Sequence, residues 1–285
     1  MRISVVDALN LSMLGIASVF ALFSATPYAV PLWVVYPAML ALLLLSCRWH
    51  RRHGAMFVLP IAFLFAIFET FFMVVPYFSS WRSDDVLARM DLWLLGVNPT
   101  EWATGWAAPA LTELLYWCYL FYFPMPLFVL VWMYRRSMLR ELEEAFFVFL
   151  TCYYASYVLY FLFPAEGPRY HLMALHPEPL PGFAVTGPIR ALIDALEPNK
   201  FDAFPSVHAA ILLTTMLFAY RHHRRMFCWL LAPAVGIAVS LVYCRYHYAV
   251  DVLVGFGLAG VNYGLGRAAY ARIQGRFAPH FETAA

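Results

Sequence analysis

The chain has 285 residues, 63% of them apolar and 13% charged, with a mean hydropathy of +0.68. A soluble domain carries about 25% charged and about 45–50% apolar residues, so composition excludes a water-soluble fold. Low-charge runs of about 20 residues make the membrane protein helical rather than a barrel, and a net charge of +2 gives no argument for a nucleic-acid partner.

Apolar runs recur near 5–25, 29–47, 56–76, 110–134, 145–163, 207–220, 227–244 and 248–266. They predict an all-α, polytopic bundle of about eight spans. The first run follows Arg2 and mimics a signal peptide. A second begins almost at once after Pro27 and Pro31, so the first is read as a helix. We divide the chain into an N-terminal hairpin (1–55), a six-helix core (56–267) and a cytoplasmic tail (268–285).

Between the third and fourth runs, Ser83-Asp84-Asp85 reads as an N-cap with acids in the first turn. Val86, Leu87, Met90, Trp93 and Leu94 then fall on one helical face before Gly96. Further along, Pro188 opens a segment with Ile189, Leu192, Ile193 and Leu196 at the same spacing, closed by Pro198. Both read as amphipathic helices on the membrane surface, which either guide a lipid or simply cap the bundle.

Orientation follows from Lys and Arg in the loops. One side receives 13 of the 19 basic residues: Arg2, Arg48, Arg51, Arg52, Arg135, Arg136, Arg140, Arg221, Arg224, Arg225, Arg267, Arg272 and Arg276. Both termini are therefore expected in the cytoplasm, with loops 77–109 and 164–206 outside. The cluster Arg221-His222-His223-Arg224-Arg225 reads as a positive anchor rather than a metal site. The five cysteines, Cys47, Cys118, Cys152, Cys228 and Cys244, show no paired or metal spacing and read as small core residues.

Chemistry concentrates at the outward ends of the last spans. Ser206 in Phe204-Pro205-Ser206-Val207-His208 is a natural N-cap. His208 then sits in the first turn, where free N–H groups favour an anion. His247 and Asp251 are i and i+4, so on a helix they share a face. A carboxylate bonded to one imidazole nitrogen leaves the other free as nucleophile or base. A structural hydrogen bond and a metal pair are the alternatives for these two residues. Glu166-Gly167-Pro168-Arg169, Lys200 and Arg245 lie on the same side. Two histidines, a buried acid and cations at one membrane face suit phosphoryl transfer.

Pro205-Ser206-Val207-His208 with His247-Tyr248-Ala249-Val250-Asp251 resembles the type 2 phosphatidic acid phosphatase superfamily. Asp91-Leu92-Trp93-Leu94-Leu95-Gly96-Val97-Asn98-Pro99 and Gly167-Pro168-Arg169 resemble its inositol phosphorylceramide synthase and sphingomyelin synthase branch. Val207 stands where the broad superfamily has glycine, and Leu241 where it has arginine. Those departures suit a phosphotransferase better than a plain phosphatase.

The resemblance implies His247 as nucleophile, Asp251 as its orienting acid and His208 as acid and base. It also implies Arg169, Lys200, Arg245 and Ser206 as substrate-binding residues, with no metal or other cofactor. The expected reaction moves an inositol phosphate-like headgroup from a phospholipid donor to a lipid alcohol or polyol. Hydrolysis of phosphatidic acid or a polyprenyl phosphate is the alternative. Glu69 and Glu113 inside spans leave a proton-coupled transporter as the less favoured reading, since no inverted repeat or paired broken helices accompany them.

Overall fold

The computed structural model describes residues 3–24, 26–49, 55–70, 73–78, 80–176, 178–196 and 200–277, and among these the chain is all-helical. The N-terminal hairpin is α1 (Val5–Phe23) and α2 (Ala29–Trp49), followed by α3 (Ala55–Glu69) and the single turn α4 (Val75–Phe78). Two short helices, α5 (Asp84–Leu95) and α6 (Pro99–Thr104), precede a bent pair, α7 (Pro109–Phe121) and α8 (Pro124–Arg135). Then comes α9 (Leu139–Leu162), with α10 (Pro168–His171) and α11 (Thr186–Leu196) in the loop that follows. The chain closes through α12 (Val207–His222), α13 (Arg224–Tyr243) and α14 (Ala249–Ile273).

The eight predicted spans fall on α1, α2, α3, the α7–α8 pair, α9, α12, α13 and α14. Four helices are long and apolar enough to cross a bilayer alone, and the α7–α8 pair makes a fifth. The described parts of α2 and α3 are shorter apolar helices, and α12 has 16 residues. The chain is a multi-pass integral membrane protein. Its exposed surface accordingly carries Leu22, Trp33, Leu114, Phe128, Val261 and Leu265, each more than half exposed. Water would not tolerate so broad an apolar surface.

Two expected spans need correction. The fourth is not one rod: it breaks at Tyr122-Phe123 and bends by 41°. Pro124 follows the break and lacks the N–H that a continuous helix would use, a local defect that a hydropathy average does not register. The third ends at Glu69, which is exposed at the helix end, and residues 71 and 72 of the predicted run lie outside the described residues. Glu113, the other acid expected inside a span, is half-buried and accepts from Thr186 Oγ1 at 2.8 Å, tying α7 to α11.

The centre of the bundle is α9, α12 and α14, packed against one another. Gly255 lets α14 approach the start of α12; a Cβ there would meet the Ser206 carbonyl oxygen at 2.4 Å. α13 packs on α7 and α12, while α1 packs on α2, α3 and α9. Of the cysteines, Cys152 and Cys244 are buried and Cys118 is half-buried. Cys228 is exposed, against expectation, because it lies on the outer face of α13 beside Trp229. The side chain of Cys47 lies outside the described residues.

The amphipathic helix at 84–95 is oriented opposite to the pattern of a soluble protein. Val86, Met90, Trp93 and Leu94 are exposed, and Asp84, Leu87 and Asp91 are buried. An apolar outer face is stable against lipid, and the acids turn inward to partners described below. In α11, Ile189 and Ile193 are buried while Leu192 and Leu196 are exposed; Pro198 lies outside the described residues.

Candidate active site

The first turn of α12 is built by Ser206, whose hydroxyl accepts from Ala209 N at 3.3 Å. Its own N–H donates to the Asp251 carbonyl at 3.1 Å, joining α12 to α14. Ser206 is fully buried in this capping role and does not line the site cavity. His208, two residues on, points its ring at the turn between α13 and α14.

Backbone carbonyls at the end of α13 hold that turn. Leu241 O accepts from Tyr246 N at 3.2 Å and from His247 N at 3.0 Å. The Leu241 side chain, at the place of the superfamily arginine, is wholly buried in an apolar cluster. Arg245 sits in the left-handed region with φ 66°, a conformation that costs a side-chain-bearing residue free energy. It is held by bonds to Glu178 O at 3.0 Å and Thr104 Oγ1 at 3.1 Å. Arg245 therefore ties down neighbouring loops and is not a wall of the cavity.

His247 lies on this turn, two residues before α14 begins. Its Nδ1 is 2.9 Å from the Ala203 carbonyl oxygen. A carbonyl only accepts, so Nδ1 carries the hydrogen and Nε2 keeps its lone pair; the tautomer is assigned from this network. Nε2 faces His208 Nδ1 at 3.2 Å, which then donates, and His208 Nε2 lies 3.3 Å from the Tyr119 hydroxyl.

The expected His247–Asp251 bond needs correction. Asp251 Oδ2 is 3.7 Å from His247 Nδ1, beyond hydrogen-bond reach. It accepts instead from Tyr248 N at 2.9 Å, because His247 lies outside the helix and the i, i+4 geometry does not apply. Asp251 Oδ1 has no hydrogen-bond partner among the described residues. Its nearest approach to His247 is the 3.7 Å contact.

Burial, and next the His208 ring, hold the His247 imidazole down to about 3. An unfolded imidazole titrates near 6.5. Between about pH 6.5 and 3 the unfolded chain therefore binds a proton that the folded chain does not. Stability should fall with pH across that window by up to ~1.4 kcal/mol per unit from this group. Thermal unfolding in detergent should show a flatter acid limb for His247→Gln than for the wild type; equal slopes would exclude a neutral buried His247.

A small cavity of about 40 Å3 opens beside the two rings, and His208, His247, Arg169, Lys200 and Glu166 line it. Arg169 makes a bidentate pair with Asp194 of α11, one arm at 2.7 Å, and its guanidinium lies over the Tyr246 ring. Lys200 Nζ lies 5.0 Å from the Tyr170 ring centre. Of the four expected substrate-binding residues, two line the cavity and two hold the backbone around it. Gly167, beside Arg169, has φ 83°, and a Cβ there would meet Tyr246 O at 2.6 Å.

Two acids that sequence reasoning left on a surface helix hold the site together. Asp84 accepts from Glu166 N at 3.0 Å, Gly167 N at 2.9 Å and the Tyr248 hydroxyl at 3.1 Å. Asp91 accepts from Ala249 N and Val250 N, both at 2.8 Å, and so caps α14. Burial raises the Asp91 carboxyl while these two N–H bonds lower it. Their seven-residue spacing, which puts both on one helix face, was the available signal. Among the described residues, no group of three or more His, Cys, Asp or Glu side chains is placed to hold a metal ion.

Residues 85–265 match the PAP2 superfamily. A PA-phosphatase related-family protein of Dictyostelium discoideum is 29% identical over 126 residues, which is 42% of this chain and 23% of that protein. The chain thus spans under a quarter of the length of that relative. No solved structure matches at a significant level. With most of its length inside the matched region, the chain belongs to the PAP2 superfamily.

Proposed function

We propose that this PAP2 superfamily chain transfers a phosphoryl headgroup from a membrane phospholipid to a lipid alcohol or polyol, through a phosphohistidine on His247. The observation that carries the reading is the His247 ring, with Nδ1–H committed to Ala203 O and Nε2 turned to His208. Arg169 and Lys200 at the cavity wall supply positive charge for the phosphoryl oxygens.

The phosphorus enters between the two rings, so the 3.2 Å pair separates. Attack needs about 3–3.5 Å between reacting atoms, with the acid in hydrogen-bond reach of the leaving oxygen. His247 Nε2 attacks phosphorus, the bond to the departing lipid oxygen breaks, and protonated His208 gives that oxygen its Nδ1 proton. Neutral His208 then takes the proton of the incoming alcohol. That oxygen attacks phosphorus, the P–N bond breaks, and His247 is restored. This chemistry uses no metal.

Transfer to an alcohol, with an inositol phosphate-like headgroup, rests on the resemblance of Asp91–Pro99 and Gly167–Arg169 to the inositol phosphorylceramide synthase branch. Hydrolysis of a lipid phosphate monoester is the second reading, favoured by the name of the phosphatase-related relative. With a labelled phospholipid donor and a saturating lipid alcohol, most label should reach a new phosphodiester, and EDTA should leave the rate unchanged. Faster release of free phosphate from a monoester under every acceptor would establish the hydrolase.

We further place both termini in the cytoplasm and the catalytic end outside, on the 13 basic residues of the opposite end. A Glu178→Cys variant should react with an impermeant thiol reagent in intact cells. Reaction only after the cytoplasmic face is opened would reverse the orientation.

A further inference from the structure

His208 belongs to two cavities. Besides the polar one, it lines a second of about 70 Å3, whose walls include Phe65 and Phe68 of α3, Tyr122 and Phe123 at the α7–α8 break, and Tyr157 of α9. Asp202 is the other residue common to both. The 41° bend of the α7–α8 pair falls at this cavity, with Tyr122 and Phe123 of the break among its walls. Exposure is graded along it. Phe65 at 44% and Leu196 at 43% form the rim, while Tyr157 at 2% and His208 at 7% form the inner end.

Resting on the phosphohistidine reading above, we propose that this aromatic cavity is the hydrocarbon subsite for the alcohol whose oxygen His208 serves. Its occupant is the first carbons of a single lipid chain, entering from the bilayer between α3 and the α7–α8 break. The chemistry of the walls selects it: the lining is mostly aromatic and aliphatic, the Tyr122 and Tyr153 hydroxyls bond each other at 3.1 Å, and Asp202 and His208 stand where it joins the polar cavity. The carbon bonded to a leaving or entering oxygen must lie on the His208 side of phosphorus, because His247 attacks from the opposite side. α3 lies outside the 85–265 superfamily region, so Phe65 and Phe68 make chain selection a property of this protein's own N-terminal part.

Photolysis of the full chain in micelles with hexadecanol bearing a diazirine near its hydroxyl tests occupancy without turnover. Label should fall on peptides containing Phe65 and Phe123, and excess hexadecanol should suppress it where butanol does not. Protection by hexadecyl phosphate as well would assign the subsite to the donor's departing chain; protection by the alcohol alone would assign it to the acceptor. Label spread along α1 and α13 without competition would overturn the subsite.

Turnover supplies the second readout. Wild-type kcat/KM for hexadecyl over butyl phosphate should fall at least ~10-fold in Phe65→Trp and in Phe68→Leu, as expected for altered fit in an apolar pocket. Measurable butyl phosphate turnover shows that each variant is folded; where labelling assigns the subsite to the acceptor, the hexadecanol-over-butanol ratio is read instead, and an unchanged ratio for the assigned partner in both variants would overturn the proposal. If labelling succeeds while no phosphohistidine forms with either ester, the subsite stands and the catalytic reading fails.

Discussion

Replacing His247 by glutamine should eliminate the phosphoenzyme and lower turnover at least ~1,000-fold, the scale on which loss of a nucleophile is felt. The variant keeps a side chain that can still donate to Ala203 O, so the turn it occupies should survive. A phosphoryl group on histidine nitrogen is labile in acid and stable in base, and a labelled donor should give label of that kind in the wild type and not in His247→Gln. His208→Asn should behave differently. It removes the proton donor, worth roughly 10²- to 10⁴-fold, and leaves the attacking nitrogen in place. An aryl phosphate, whose leaving oxygen needs no proton, should therefore restore most of the phosphorylation rate in His208→Asn and none of it in His247→Gln. Recovery in both variants, or in neither, would remove the division of labour between the two rings.

The second large effect is expected at Asp91, which touches neither ring. Its two oxygens accept the N–H groups of Ala249 and Val250 at 2.8 Å each. Hydrogen bonds to a charged group contribute about 1.5–3 kcal/mol apiece, so Asp91→Ala should cost roughly 3–6 kcal/mol and lower the melting temperature in detergent. The turn bearing His247 precedes these residues directly, so loosening the start of α14 should displace the nucleophile. kcat should fall well beyond what the remaining folded fraction explains, with KM little changed. Asp91→Asn keeps one acceptor oxygen and should recover part of both losses. A melting temperature that drops while kcat per folded molecule stays normal would reduce Asp91 to a purely structural cap.

Local features of the chain carried much of this architecture. Apolar runs of bilayer length identify spans because lipid demands a continuous apolar stretch with its own backbone bonds internally satisfied. Seven of the eight predicted runs appear as single helices, α12 two residues longer than its run and α3 ending early. Cap chemistry is equally local: Ser206 starts α12, as its place before Val207-His208 implied. The two histidines were legible for the same reason, since each stands at the end of an apolar run on the same side, and the structure brings them to 3.2 Å.

Partners supplied by distant segments were not legible. The nitrogen expected to face Asp251 is bonded to Ala203 O, 44 residues away, and Asp91 reaches Ala249 and Val250 across 158 and 159 residues. Arg169 pairs with Asp194, and Arg245 leaves the cavity for Glu178 O and Thr104. A backbone carbonyl or N–H looks the same at every position in a sequence. Which of them meets a buried carboxylate or imidazole is decided by how α5, α12 and α14 pack, through the requirement that each polar group removed from water find a partner. Residue types and run lengths determined the membrane bundle and the chemical inventory at one end of it. Helix packing alone decided which acid holds which turn.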